Sequence, residues 1–93
     1  MQTPPTPNSL ISVIIPAYNA QDFIEKALDS VLAQSYRHFE LLIVNDGSTD
    51  NTETLVKAYR DPRVKLISQN NGGLSNARNT GIQNAEGRYL AFL

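Results

Sequence analysis

The 93-residue chain has no cysteine. That excludes a disulfide framework, a thiolate metal centre and a cysteine nucleophile, and it accords with a reducing compartment. There is one histidine, His38, in the polar turn Tyr36-Arg37-His38. It has no partner at metal-ligand or acid–base spacing, so no such role is assigned to it. An excess of charge of one sign is lacking too, since 8 basic and 9 acidic residues leave a net charge of −1. No basic patch stands out, so neither nucleic acid nor an anionic membrane surface is an expected partner. No apolar run approaches the ~18 residues of a membrane span. The stretch MQTPPTPNS has no basic region followed by an apolar one and does not read as a signal peptide. Neither a Gly-x-Gly-x-x-Gly turn after the first strand nor a Walker P-loop is present. The nicotinamide-enzyme and P-loop ATPase readings thereby lose their main support.

What is present reads as one small globular domain, 41% hydrophobic and 18% charged. Residues 1–9, with Pro4, Pro5 and Pro7 among small polar residues, are expected to form a disordered tail outside the fold. Leu10 to Ile15, stopped by Pro16, is a β-branched run suited to a strand buried on both faces. A helix is expected from about Ala20 to Gln34, capped by Asn19, with Phe23, Ile24, Ala27, Leu28, Val31 and Leu32 forming its apolar stripe. Phe39 to Val44 makes a second apolar strand. Asp50 and Glu53 form a capping-box-like start to a second helix, whose apolar side is Leu55, Val56 and Tyr59 and which Asp61-Pro62 ends. Arg63 to Ile67 alternates like an edge strand. A third helix is expected from Leu74 to Asn84, with Leu74, Ala77, Ile82 and Ala85 buried. Tyr89 to Leu93 is the fourth strand.

This βαβαβαβ pattern implies an α/β fold in three α/β/α layers, with a parallel sheet in strand order 3-2-1-4 and right-handed crossovers. Such a sheet binds its ligand beyond the carboxyl ends of the strands, where strand order reverses. Three turns lie there. In the first, Pro16-Ala17-Tyr18-Asn19, Tyr18 can stack on a planar base or pack beneath the loop. In the second, Asn45-Asp46-Gly47-Ser48-Thr49-Asp50, Asp46 can accept a hydrogen bond from a ribose or base, or simply serve a strand-to-helix turn. In the third, Gly72-Gly73 opens a helix whose free N–H groups favour an anion, and Arg78 follows one turn later. Its guanidinium suits either a phosphate or an internal salt bridge.

Taken in order, Ser12-Val13-Ile14-Ile15-Pro16-Ala17-Tyr18-Asn19, Glu40 to Asp50, Asn79-Thr80-Gly81 and Gly87 to Leu93 resemble the start of family 2 glycosyltransferases, over residues 10–93. The resemblance implies the amino-terminal, Rossmann-like half of the GT-A fold. It also implies a nucleoside diphosphate sugar as partner and transfer of the sugar to an acceptor hydroxyl with inversion. Pro16 and Ala17 would wall the pocket, Tyr18 would lie against the base, Asp46 would bind base or ribose, and Arg78 would face base or diphosphate. The family's Asp-x-Asp-type motif, which holds Mg²⁺ or Mn²⁺, and its general base follow the fourth strand. No metal or catalytic residue is therefore expected within this stretch, which should bind nucleotide weakly and transfer no sugar. Asn45 stands where many members have a second Asp. Apolar surface near the fourth strand makes a homo-oligomer possible, and a cytoplasmic location, at the membrane face for a full-length protein, is expected. A non-catalytic nucleotide-binding or interaction module is the alternative. A response-regulator-like domain is disfavoured because the first strand ends in Pro-Ala-Tyr-Asn without an acidic pair.

Overall fold

A computed structural model describes residues 9–93. It contains β1 (Ile11–Ala17), α1 (Ile24–Leu32), β2 (Phe39–Asp46), α2 (Thr52–Lys57), β3 (Val64–Gln69), α3 (Leu74–Asn84) and β4 (Tyr89–Phe92). The four strands form one parallel sheet in the order β3-β2-β1-β4, the expected topology. The expectation for the tail falls on residues 1–8, outside the described ones, and on Ser9. Ser9 is buried, and its carbonyl accepts a hydrogen bond from the Tyr36 hydroxyl.

The helices divide between the faces as right-handed crossovers require. On one face Ile11, Val13 and Ile15 of β1 and Phe39, Leu41 and Ile43 of β2 meet Ile24, Leu28 and Val31 of α1 and Val56 of α2. The alternate residues of the same strands, Ile14, Leu42 and Val44, lie on the other face and are equally buried. There α3 presents its small residues, Ala77 and Gly81, as its buried positions. A Cβ added to Gly81 would come within 2.5 Å of Ile14 Cγ2. The helix thus lies close on the sheet because this position has no side chain.

Several local expectations are corrected. β1 runs on through Pro16. Leu93 N–H donates to Ile14 O, so in the alternation of a parallel strand Pro16 also points toward β4. The ladder there ends at Ile14↔Phe92, and the missing proline N–H breaks no bond. α1 begins at Ile24, and Asn19 does not cap it, because its side chain accepts the Thr49 N–H across the gap between two loops. Phe23, expected in the buried stripe, is 68% exposed. α2 ends at Lys57, short of Asp61. Asp50 does accept the Thr52 N–H at 2.9 Å, but Glu53 binds Asn45, Ser68 and Lys57 and completes no capping box. On α3, Leu74 and Ile82 are exposed, since Ala77 and Gly81 take the sheet side.

Two charged clusters fix the end of the sheet away from the carboxyl tips. Glu40 is buried, accepting from Ser12 Oγ (2.5 Å), Lys65 Nζ (2.9 Å) and Glu86 N–H (2.6 Å). Burial alone would raise its carboxyl, but these bonds and the Lys65 charge bring it below the ordinary value. Before β3, Asp61 takes the Arg63 guanidinium through Nε (3.0 Å) and Nη2 (2.7 Å) and accepts the Arg63 N–H. The guanidinium lies 4.4 Å from the Phe39 ring centroid.

The hydrogen bonds from the Arg63 side chain and then its backbone pull the Asp61 carboxyl from 3.8 to about 2. A depressed folded-state value contributes stability that is present above the unfolded value and lost as pH falls through the folded one. Asp61→Asn is therefore expected to lower the thermal midpoint at pH 6. The gap between variant and parent should close between about pH 4 and pH 2, as followed by circular dichroism melts across that range.

Candidate functional site

The carboxyl ends of β1 and β2 and the start of α3 enclose a cavity of about 240 Å³, lined by Pro16, Ala17, Tyr18, Asp46, Asn71, Gly73, Leu74 and Ala77. It lies where β1 parts from β4 and the strand order reverses, as an open α/β sheet requires. Four of the five expected site residues meet in it. Pro16 and Ala17 end β1 and supply wall. Tyr18 follows at once and is 55% exposed, an aromatic face at the rim. Leu74, 56% exposed, lies across from the strand tips and adds apolar surface.

Asp46, the last residue of β2, is 3% exposed, and its carboxylate is saturated by its own chain. Oδ1 accepts from Gly72 N–H (2.9 Å) and Gln69 Nε2 (3.0 Å), and Oδ2 from Gly73 N–H (2.9 Å) and Asn71 Nδ2 (3.3 Å). Two donors on each oxygen fill the usual lone-pair capacity of a carboxylate. The bonds from Gln69 and Gly72, joined by that from Gly73 and opposed by burial, hold the carboxyl below its ordinary value. The Gln69 amide is itself oriented, since Thr80 Oγ1 donates to its carbonyl at 2.6 Å and leaves the NH₂ toward Asp46. The expected anion site at the Gly72-Gly73 amides is thus filled by the protein's own anion, and a ligand phosphate would have to lie elsewhere.

Gly47 follows with φ +77°, and a Cβ there would stand 2.6 Å from Asn71 N. The second and third turns are therefore packed backbone against backbone. Asn45 shapes the same turn, accepting the Ser48 N–H at 3.2 Å and donating to Glu53 Oε1 at 3.2 Å. An aspartate at this position would face Glu53 with a second negative charge. The amide fits the turn, and no charge-based role attaches to it.

Arg78, the fifth expected residue, does not line the cavity. It stands exposed on α3, next in sequence to the lining residue Ala77. Among the described residues its guanidinium makes no hydrogen bond or ion pair, so the internal salt bridge weighed for it is not found there. Sequence reasoning missed Asn71, Gly73, Leu74 and Ala77 as lining residues. The Asn-Asn-Gly-Gly break marked the right loop, but helical periodicity assigned Leu74 to the core. No three His, Asp or Glu side chains converge among the described residues.

Residues 12–93 match the family described as Glycosyl transferase family 2. The chain belongs to that family. It is 46% identical over 86 residues to the uncharacterized glycosyltransferase EpsJ of Bacillus subtilis, covering 90% of this chain and 25% of that protein. It is also 46% identical over 87 residues to the putative teichuronic acid biosynthesis glycosyltransferase TuaG of the same organism, covering 90% and 34%. Among solved structures, residues 1–349 of S. aureus TarS in complex with UDP-GlcNAc superpose with a TM-score of 0.84 at 35% identity, covering 89% of this chain and 25% of that one. The mannosyltransferase PcManGT from Pyrobaculum calidifontis, in complex with GDP-Man and Mn²⁺, gives 0.79 at 31%, covering 86% and 25%. The chain thus spans about a quarter to a third of these glycosyltransferases. Its sheet is the Rossmann-like amino-terminal half of the GT-A fold. Among the described residues no helix is long and apolar enough to cross a membrane.

Proposed function

We propose that this segment is the nucleotide-sugar-binding part of a family 2 glycosyltransferase, which moves a sugar from a nucleoside diphosphate sugar to an acceptor hydroxyl with inversion. The observation that carries the reading is the cavity at the strand tips with its aromatic rim at Tyr18; Arg78, next in sequence to the lining residue Ala77, has a guanidinium with no partner among the described residues. Tyr18 offers a face to a planar base. Arg78 offers a fork to a diphosphate. Asp46 acts chiefly by ordering the loop that forms the cavity's third side. The related TarS and PcManGT structures hold UDP-GlcNAc and GDP-Man, both nucleoside diphosphate sugars, which supports this class of ligand.

The Mn²⁺ of PcManGT raises the question of a divalent ion. Mg²⁺ takes six oxygen ligands in octahedral array, usually one or two of them protein carboxylates and the rest substrate phosphates and water. The described residues supply no converging acidic set, and the Asp46 oxygens are already taken. The fit is poor, and no residue of this stretch is assigned to hold Mg²⁺ or Mn²⁺. Transfer also needs a base on the acceptor and stabilisation of the leaving diphosphate. The stretch by itself is accordingly proposed to bind nucleotide weakly without transferring sugar. The cytoplasmic location and the role in cell-surface polysaccharide synthesis belong to the same proposal, the latter supported by the likeness to TuaG. So does the homo-oligomer, for which the exposed Phe23, Phe92 and Leu93 flanking the groove between α1 and β4 are the apolar surface.

The test is a comparison of uridine and uridine diphosphate by NMR shift mapping. Shifts are expected to cluster at residues 16–18, 46 and 71–78. Arg78→Ala should weaken uridine diphosphate by about 10-fold, since a charged hydrogen bond contributes about 1.5–3 kcal/mol, and leave uridine nearly unchanged. Equal loss for both ligands, or shifts on another face, would count against the assignment.

A further inference from the structure

Asn19, next in sequence to the cavity residue Tyr18, is the one non-glycine residue with positive φ among the described residues, at 48°. That conformation is unfavourable for L-residues and least so for asparagine. It turns the chain sharply after β1, and the turn is laced to the one after β2. Asn19 N–H donates to Ser48 Oγ at 2.9 Å, and Asn19 Oδ1 accepts the Thr49 N–H at 2.8 Å. The exchange continues down the two loops. Ala20 N–H donates to Thr52 Oγ1 (2.8 Å), Gln21 N–H to Asp50 Oδ2 (3.2 Å) and Asn51 N–H to Gln21 Oε1 (3.1 Å). Backbone donors of each loop are thus satisfied by side chains of the other.

The Tyr18 ring makes no hydrogen bond among the described residues, so the backbone on either side of it sets its place. On one side is Ala17, held in the ladder opposite Asn45; on the other is Asn19. From this lacing we infer that Asn19 is a positioning residue for nucleotide binding. It locks the turn that carries Tyr18 to the turn that carries Asp46, so the ring and the loop ordered by Asp46 keep a fixed separation across the cavity. The inference rests on the reading of that cavity as a nucleotide site.

Asn19→Gly isolates the side chain, because glycine adopts positive φ freely, while Asn19→Asp keeps an acceptor oxygen in place. In the unliganded chain, ¹⁵N relaxation is expected to show that Asn19→Gly raises mobility at 18–21 and at 48–51 together and that Asn19→Asp restores both. Asn19→Gly should weaken uridine diphosphate by about 3- to 10-fold, the scale of one hydrogen bond, and Asn19→Asp should recover it. In a Tyr18→Ala background the same substitution should cost less than about 2-fold, since residues acting as a unit are non-additive. The inference is overturned if Asn19→Gly leaves 48–51 as ordered as in the parent, if Asn19→Asp fails to recover binding, or if the loss persists in full without Tyr18. If the parent binds neither uridine diphosphate nor guanosine diphosphate, the nucleotide reading falls, and the relaxation data alone still decide whether the two turns are locked by Asn19.

Discussion

Asp46→Asn is expected to weaken uridine diphosphate binding by about 10-fold or more, although the carboxylate has no free acceptor to offer the ligand. Each of its oxygens takes one glycine N–H, Gly72 on Oδ1 and Gly73 on Oδ2. Whichever way an asparagine amide is turned, its NH₂ meets one of those donors head-on. A buried donor left without an acceptor costs about 1–3 kcal/mol, and the cavity wall formed by Asn71, Gly73 and Leu74 loosens with it. The substitution should therefore be visible before any ligand is added, as shifts of the Gly72 and Gly73 amides. Acid provides a second reading. Because the Asp46 carboxyl lies below its ordinary 3.8, the parent's two glycine amides should hold their shifts down past that pH and move only as it falls through the depressed value. The variant should show no such step. An Asp46→Asn chain with unchanged glycine amides and unchanged affinity would mean that the loop is ordered by something else.

The second large effect concerns Gly81, where two terms compete. Alanine in place of a mid-helix glycine favours the helix by about 1 kcal/mol. Against this, the new methyl would stand 2.5 Å from Cγ2 of the fully buried Ile14. Ile14 is β-branched, stiff at χ1, and fixed on a central strand with neighbours on both sides. Overpacking of this kind costs about 1–3 kcal/mol, and so close a contact lies at the upper end. Gly81→Ala should thus be a net loss of about 1–2 kcal/mol, a fall in thermal midpoint of about 5–15 °C for a domain of this size. The sign should reverse in an Ile14→Ala background, where the opposing methyl is gone and only the helix preference remains. A Gly81→Ala chain that melts no lower than the parent would show that α3 can shift off β1 at little cost.

Strand order and helix placement were legible in the sequence because they depend on patterns the chain carries locally. β1 and β2 are apolar runs of strand length, and α3 is bracketed by Gly72-Gly73 and Glu86-Gly87, so its bounds could be read directly. The position of Asp46 at a strand tip was equally plain. Its partners were not, since Gly72 and Gly73 lie 26 and 27 residues further on, and composition cannot show that a glycine pair will serve a carboxylate of the same chain. Asn19 failed as a helix cap for the same reason. An asparagine before an amphipathic stretch has the chemistry of a cap, and only the fold brings Thr49 near enough to take its side chain. Leu74 and Ile82 fit the helical period, but the sheet contact goes to the smallest residues, a choice made by the distance between layers.

The place of β1 in the middle of the sheet has a consequence for a chain growing on the ribosome. Its second neighbour, β4, is the last of these four strands to be made, and the Gly87 N–H that meets Ser12 Oγ lies 75 residues further along. At about 5–20 residues per second, the β-branched run Ile11 to Ile15 waits roughly 4 to 15 seconds with one edge open. During that interval any extended apolar segment could add to it. Pro16 offers no donor along the side that β4 will later occupy, so such an addition cannot run past the strand tip with its ladder intact. The proline that breaks no bond in the finished sheet would thus shorten the edge open to wrong partners while that sheet is still being made.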